Sequence, residues 1–186
     1  VSERNRLEQE ALDQAREVVA AAVGARPDEV LFTASAAHSN HAAIAGLTLG
    51  RRRVGSHVVT TAIDHSSVLA AAAEAGSHTA VEVDHEGHVD LDRWTAAVGT
   101  AGTAASCIQA ANHEVGTLQP FMEAAEICRR AEVPLVLDVT AALGRIELAS
   151  AGGWSVLTGW AGAFGGPASV GILVIKKNTR WRAPYP

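Results

Sequence analysis

Seven short apolar runs constrain the fold of this chain more than any other feature. They are Val30–Thr33, His57–Ile63, Thr79–Val83, Ala105–Ala111, Pro134–Val139, Trp154–Thr158 and Val170–Ile175. Each is apolar along nearly its whole length instead of alternating, so each is read as a strand covered on both faces. Helix-like stretches separate the earlier runs: His41–Leu49, an alanine-rich segment to Gly76, Asp90–Val98 with Asp90 as cap, and Pro120–Ala131 with Pro at its first turn. Strands alternating with helices predict an α/β three-layer sandwich around a mostly parallel seven-stranded sheet. Only the Gly/Pro loop Ala161–Ser169 lies between the last two runs. It is too short for a helical crossover, so the last strand is expected to be antiparallel.

A first helix is expected to run from a Ser2 cap to about Ala22, with Leu7, Ala11, Ala15, Val18 and Val19 on one face. Gly24 and Pro27 close it. The 186 residues suffice for one domain spanning 1–186 with a sizeable core. Aromatics are only 4%, so that core is built from Ala, Val, Leu and Ile. The tail Trp181–Pro186, with two prolines, is expected to leave the domain. The chain starts at Val1 and enters a helix at once, which reads as a fragment or a processed product.

The formal charge of −5 argues against nucleic-acid binding as the main task. Arg51–Arg52–Arg53 reads as a solvated helix end. No apolar run reaches the roughly 18 residues of a membrane span, and no signal peptide is visible. Cys107 and Cys128 lie in unlike surroundings, one strand-like and one helical, and read as buried small hydrophobes. The default location is the cytoplasm.

In open α/β sheets, ligands bind beyond the carboxyl ends of the strands. The segments that follow the strands are Thr33–His41, Asp64–Ser67, Asn112–Thr117, Asp138–Ala141 and Gly159–Pro167. They bring His38, His41, His65, His113 and Asp138 to one rim. The small-residue turn at Ser35–His38 leads into a helix N-terminus and suits a phosphate. Neither GxGxxG nor a P-loop is present, so a dinucleotide or nucleoside triphosphate is unsupported. His38, His65, His113 and Asp138 form an alternative ligand set for zinc or a similar ion. The segment Asp84-His-Glu-Gly-His88 looks metal-like but reads as a polar turn.

The order of these segments resembles the cysteine desulfurases of the class V aminotransferase family. Phe32-Thr-Ala-Ser-Ala-Ala-His38 is similar to the family's phosphate turn, and Ile63-Asp64-His65 to its Thr-Glu-His. Asn112-His113-Glu114-Val115-Gly116 is similar to Asn-Asn-Glu-Ile-Gly, and Asp138-Val-Thr-Ala141 to Asp-Ala-Ala-Gln. The resemblance runs from the first helix to Ile175. It implies the fold already read from the strands, pyridoxal phosphate (PLP) as cofactor, sulfur removal from L-cysteine, and a homodimer that serves a sulfur-acceptor protein. The implied cofactor contacts are Ala36 and Ala37 at the phosphate, His65 stacked on the ring, His113, Asp138 at the ring nitrogen, and Ala141.

The resemblance also identifies a loss. Where the family carries Ser-x-His-Lys before Gly-Gly-Pro, this chain reads Trp160-Ala-Gly-Ala163-Phe164-Gly-Gly-Pro167. The lysine position is Ala163 when aligned on Gly-Gly-Pro, or Ala161 when aligned on Thr158-Gly159. Lys176 and Lys177 are the chain's only lysines, and both follow the last strand. Covalent attachment of PLP is therefore not expected, because it needs an amine at the aldehyde. Ala37, His38, His113 and Ala141 depart from the family as well, which favours natural divergence over a single engineered change. The family's sulfur-accepting cysteine belongs to a C-terminal domain, and neither Cys107 nor Cys128 matches it. Two readings follow: a desulfurase-like protein with impaired or no turnover, or a non-catalytic scaffold of a sulfur-transfer system.

Overall fold

A computed structural model describes residues 3–185. Helices α1 (Glu3–Val23), α2 (Ala36–Gly50), α3 (Ser66–Ala75), α4 (Leu91–Val98) and α5 (Phe121–Arg130) alternate with strands β1 (Val30–Thr33), β2 (His57–Thr61), β3 (His78–Val81), β4 (Thr103–Gln109) and β5 (Leu135–Asp138). Strands β6 (Val156–Trp160) and β7 (Gly171–Ile175) follow. The sheet order is β1-β7-β6-β5-β4-β2-β3. Strands β2 to β6 pair in parallel, whereas β7 runs antiparallel to both neighbours, β6 and β1. The expected seven-stranded sheet with an antiparallel last strand is what forms.

Two apolar layers sandwich the sheet. Helices α2 and α3 cover one face with Ala42, Ala43, Ile44, Leu47, Val68 and Ala72. Helices α4 and α5 cover the other with Trp94, Ala97, Val98, Ala124 and Ala125, joined by Ala20 and Val23 from the end of α1. Both cysteines are free and buried, Cys107 on the first side and Cys128 on the second.

The ends of the elements have local causes. Ser35 caps α2, its Oγ accepting the His38 amide at 3.0 Å. The helix thus begins at Ala36, five residues before the expected start, and its N-terminus reaches the sheet rim. Asp90 caps α4 as expected, accepting the Asp92 and Arg93 amides. Strand β2 stops at Thr61 because the Asp64 carboxylate takes the Thr61 amide at 2.7 Å and turns the chain. Strand β6 starts later than expected, since the Trp154 indole is tied to the Ala151 carbonyl at 2.8 Å before the strand begins. Pro120 stands at the N-cap of α5 instead of inside its first turn.

Three expectations need correction. Of the apolar face read on α1, only Val19 packs against the core. Leu7 is 55% and Val18 65% exposed, because only the last turn reaches the body, through Ala20 and Val23. Ion pairs Arg4–Glu8, Arg6–Glu10 and Asp13–Arg16 support the rest of the helix. The Ser2 cap lies outside the described residues.

The tail does not leave the domain at Trp181. That indole donates to the Ala42 carbonyl at 2.9 Å and packs against the α2–α3 layer. Gly46 of α2 leaves the space, since a Cβ there would overlap the Trp181 ring. Nor is Arg51 a plain solvated helix end: it donates to the Glu132 carbonyl at 3.0 Å and is half-buried.

Candidate functional site

A pocket of about 380 Å³ opens at the carboxyl ends of the parallel strands, where the chain reverses sheet direction. The sequence elements meet there because each belongs to the loop after a strand. Ser35, Ala36, Ala37 and Asn40 come from the start of α2, His65 from the cap of α3, and His113 from the loop after β4. Asp138, Thr140 and Ala141 follow β5, and Trp160 ends β6. The structure places Ala36, Ala37, His65, His113, Asp138 and Ala141 on the wall of this one pocket.

Asp138 is only 5% exposed. One of its oxygens accepts the Thr140 amide at 2.9 Å and the other accepts Asn40 Nδ2 at 3.3 Å. The same Asn40 amide group donates to Ser67 Oγ at 3.1 Å. Ser67 Oγ lies 2.8 Å from His65 Nδ1, which also accepts the Ser67 amide. A chain of contacts thus links the carboxylate to the imidazole. Asn40 Oδ1 is buried and has no partner among the described residues. The amides of Ala36 and Ala37, first in the helix, have no intrahelical acceptor and carry the positive end of the helix dipole. An unpaired donor pair, an imidazole and a buried carboxylate can together hold a flat anionic heterocycle.

Sequence reasoning did not single out Asn40. The available signal was an asparagine between Ser39 and His41, five positions after the Ser35 cap. Sequence reasoning named Asp64 only within the Ile63-Asp64-His65 match, not as a second buried carboxylate behind the pocket. Asp64 accepts the Thr61 amide at 2.7 Å and the Gln109 amide at 3.1 Å. Burial, reinforced by the charge of Asp138, pushes its pKa up to about 7. In the unfolded chain this carboxyl ionises near its ordinary 3.8. Its contribution to stability is therefore full below that value and is lost as pH rises toward 7. A carbon-13 titration of the Asp64 carboxyl should show a midpoint far above an ordinary aspartate, and a midpoint near 4 would refute the assignment.

The rim histidines do not converge. His65 and His113 face each other with ring centroids 5.4 Å apart. His38 instead packs its ring edge against Tyr185 at 5.1 Å, and His41 lies 3.5 Å from Glu74. The metal set His38, His65, His113 and Asp138 thus lacks its geometry. Among the described residues, three potential metal ligands come together only at Asp84, Glu86 and His88. There Asp84 Oδ1 is already used by the Glu86 and His88 amides, as in a polar turn.

No amine reaches the pocket among the described residues. Lys176 donates to the Gly24 carbonyl at 2.6 Å and lies 4.4 Å from the Trp154 ring centre, at the opposite rim. Ala161 and Ala163 lie in a short 3-10 turn after β6. Ala161 is buried, while Ala163 is half-buried and its carbonyl accepts Arg145 at 2.7 Å. The Trp160 ring lies over Gly162, held by its indole N–H to the Ala168 carbonyl at 2.7 Å.

Comparison with known proteins agrees with this arrangement. The model of the aminotransferase class-V family matches residues 1–184. A cysteine desulfurase IscS of Dictyoglomus turgidum is 33% identical over 175 residues, covering 91% of this chain and 44% of that protein. The chain thus spans about half the length of the curated relatives it matches. A solved NifS-like protein superposes with a TM-score of 0.86 at 28% identity, covering 94% of this chain and 50% of that one. A structure described as SspA in complex with cysteine superposes with a TM-score of 0.91 at 24% identity, over 100% of this chain and 55% of that one, and shares the fold. By the family match and by the ordered loops around its pocket, the chain belongs to the aminotransferase class-V family and is cysteine desulfurase-like within it.

Proposed function

We propose that this chain binds PLP without a covalent anchor and that, as it stands, it does not complete sulfur removal from L-cysteine. One observation carries the reading: the pocket keeps a buried carboxylate, an imidazole and an open helix N-terminus, yet no lysine reaches it. The residues fit the non-covalent half of a PLP site. Asp138 would face the pyridine nitrogen, held there by Asn40 and Thr140. His65 would lie against the ring, oriented through Ser67. The Ala36 and Ala37 amides would bind the phosphate. When bound, PLP supplies an electron sink for an amino acid. The chain offers that amino acid no amine for exchange at position 163. His65 and His113 are the imidazoles on the pocket wall that could carry a proton. The small side chains of Ala37 and Ala141 add no donor to phosphate or ring. The family likeness supports a second copy of the chain and a sulfur-acceptor protein as partners, with L-cysteine or a related amino acid as ligand.

Titration with PLP, followed by tryptophan fluorescence, tests this reading. Trp160 lines the pocket, so saturable quenching is expected, and Trp160→Phe should remove most of it. Asp138→Ala should weaken binding about 10- to 100-fold, the worth of a lost charge-assisted hydrogen bond. Borohydride treatment should leave no label on any pocket residue, with peptide mapping to separate adventitious label on Lys176 or Lys177. Absence of saturable binding, or a borohydride-fixed label mapped to the pocket of the unaltered chain, would overturn the proposal.

A further inference from the structure

Three carboxylates are buried among the described residues: Glu29, Asp64 and Asp138. Glu29 has a cation beside it, Lys176 Nζ at 3.9 Å. Asp64 and Asp138 have none, since neither forms an ion pair among the described residues. Two uncompensated carboxylates in one buried region resist carrying charge together. Asp138 stands on the pocket wall. Asp64 does not, and borders instead a second concavity of about 780 Å³ that opens on its other side.

One strand end ties the two acids together. Gln109 closes β4 and lies opposite Asp138 in the sheet register. Its amide donates to Asp64 Oδ1 at 3.1 Å, and the next amide, of Ala110, donates to the Asp138 carbonyl at 2.8 Å. The Gln109 side chain holds the Ile63 carbonyl at 2.9 Å, and Asn112 adds a second bond to it at 3.3 Å. Asp64 is thus fixed within the field of Asp138. Burial, reinforced by that charge, keeps a proton on it up to about pH 7. The Thr61 hydroxyl, buried beside this carboxyl and without another partner among the described residues, can donate to it when ionised and accept from it when protonated. The buried Cys107 thiol on β4 stays uncharged, its pKa raised by burial and by both acids. On the solvent side, Asp84, Glu86 and Glu114 border the second concavity together with His65, His85 and His113. Their charges are of mixed sign and screened by water.

We propose that Asp64 answers the charge at Asp138: when a ring cation sits on Asp138, Asp64 gives its proton to solvent through the second concavity. The proposal rests on the reading of Asp138 as the partner of the ring nitrogen. Without ligand, Asp138 carries the charge and Asp64 the proton. With a ring N–H⁺ on Asp138, the repulsion is met and Asp64 ionises. The region then holds one net negative charge in both states. Asp64 touches no ligand and acts only through Asp138. By reciprocity, an ionised Asp64 tightens the hold on the ring cation. Preference for a ring with a protonated nitrogen over one without nitrogen should therefore grow as pH rises through about 7.

Carbon-13 titration of the Asp64 carboxyl, its signal assigned by its absence in Asp64→Asn, tests the proposal. Three states of the chain are compared: ligand-free, saturated with PLP, and saturated with the PLP analogue in which carbon replaces the ring nitrogen. The PLP state should titrate about one pH unit or more below the analogue state, since only PLP brings a cation to Asp138. In the ligand-free chain, Asp138→Asn should lower the Asp64 midpoint by a similar amount, because it removes the repelling charge. Circular dichroism should show this variant folded. Equal midpoints with PLP and the analogue, both bound, or an unchanged midpoint in folded Asp138→Asn would each overturn the coupling. Failure of PLP to bind would end the ring-nitrogen reading instead, and Asp138→Asn would still decide whether Asp64 answers its neighbour.

Discussion

Replacing Ala163 by lysine is expected to give the pocket an amine that PLP and borohydride label stoichiometrically at position 163. Ala163 is half-buried, and the turn that carries it begins at Trp160 on the pocket wall. A four-carbon stem can carry its amine from that turn toward the ligand. Ala161→Lys should fail in the same assay. Ala161 is buried, and its Cβ already meets the space that a Cβ on Gly166 would need. The contrast decides which residue stands in the lysine's place, because the alignment on Gly-Gly-Pro favours 163 and the alignment on Thr158-Gly159 favours 161. The Trp160 ring covers Gly162, so the double variant Trp160→Ser/Ala163→Lys should label faster than Ala163→Lys alone. Mass spectrometry of the reduced product gives the site. If neither lysine variant takes label while each still binds PLP, the pocket does not present the aldehyde to this turn.

The second large effect concerns stability. Trp94 of α4 is fully buried and heads the large side chains of the core beneath the sheet. Aromatics make up only 4% of the chain, so few other residues could refill its volume. Trp94→Ala should lower the unfolding free energy by about 3–5 kcal/mol. Domains of this size hold only about 5–15 kcal/mol in all, so urea unfolding should move to a much lower midpoint. Trp94→Phe should keep most of the stability, since it keeps most of the apolar volume. A midpoint for Trp94→Ala within experimental error of the parent would contradict the packing role.

The sheet was legible from sequence because its strands are continuous apolar runs and its helices carry caps such as Asp90. The antiparallel last strand was legible from the length of one loop. Element ends were harder, because they depend on side-chain bonds that sequence does not display. Asp64 reaching back to the Thr61 amide shortens β2, and Ser35 extends α2 to the rim. The α1 face was misread because amphipathic spacing says that a helix can pack, not that the body extends far enough to meet it. The pocket-wall residues were readable from their order after successive strands, together with the family resemblance. Asn40 was not, since its importance lies in a hydrogen bond to Asp138 across 98 positions. The metal set His38, His65, His113 and Asp138 failed because proximity to a rim fixes neither direction nor distance. His38 turns toward Tyr185 instead.

The placement of β7 also has a consequence in time. Val30 of β1 finds its only sheet partner in Val174 of β7, near the other end of the chain. On a ribosome, β2, β4 and β5 can associate as they emerge, while β1 must wait until β7 has been made. The turn Ser35–Ala37 follows β1, so one wall of the pocket closes last, by a contact of very long sequence separation. The Ser35–Ala37 turn is made before His65 and Asp138, yet the strand that leads into it gains its sheet partner only when β7 has been made.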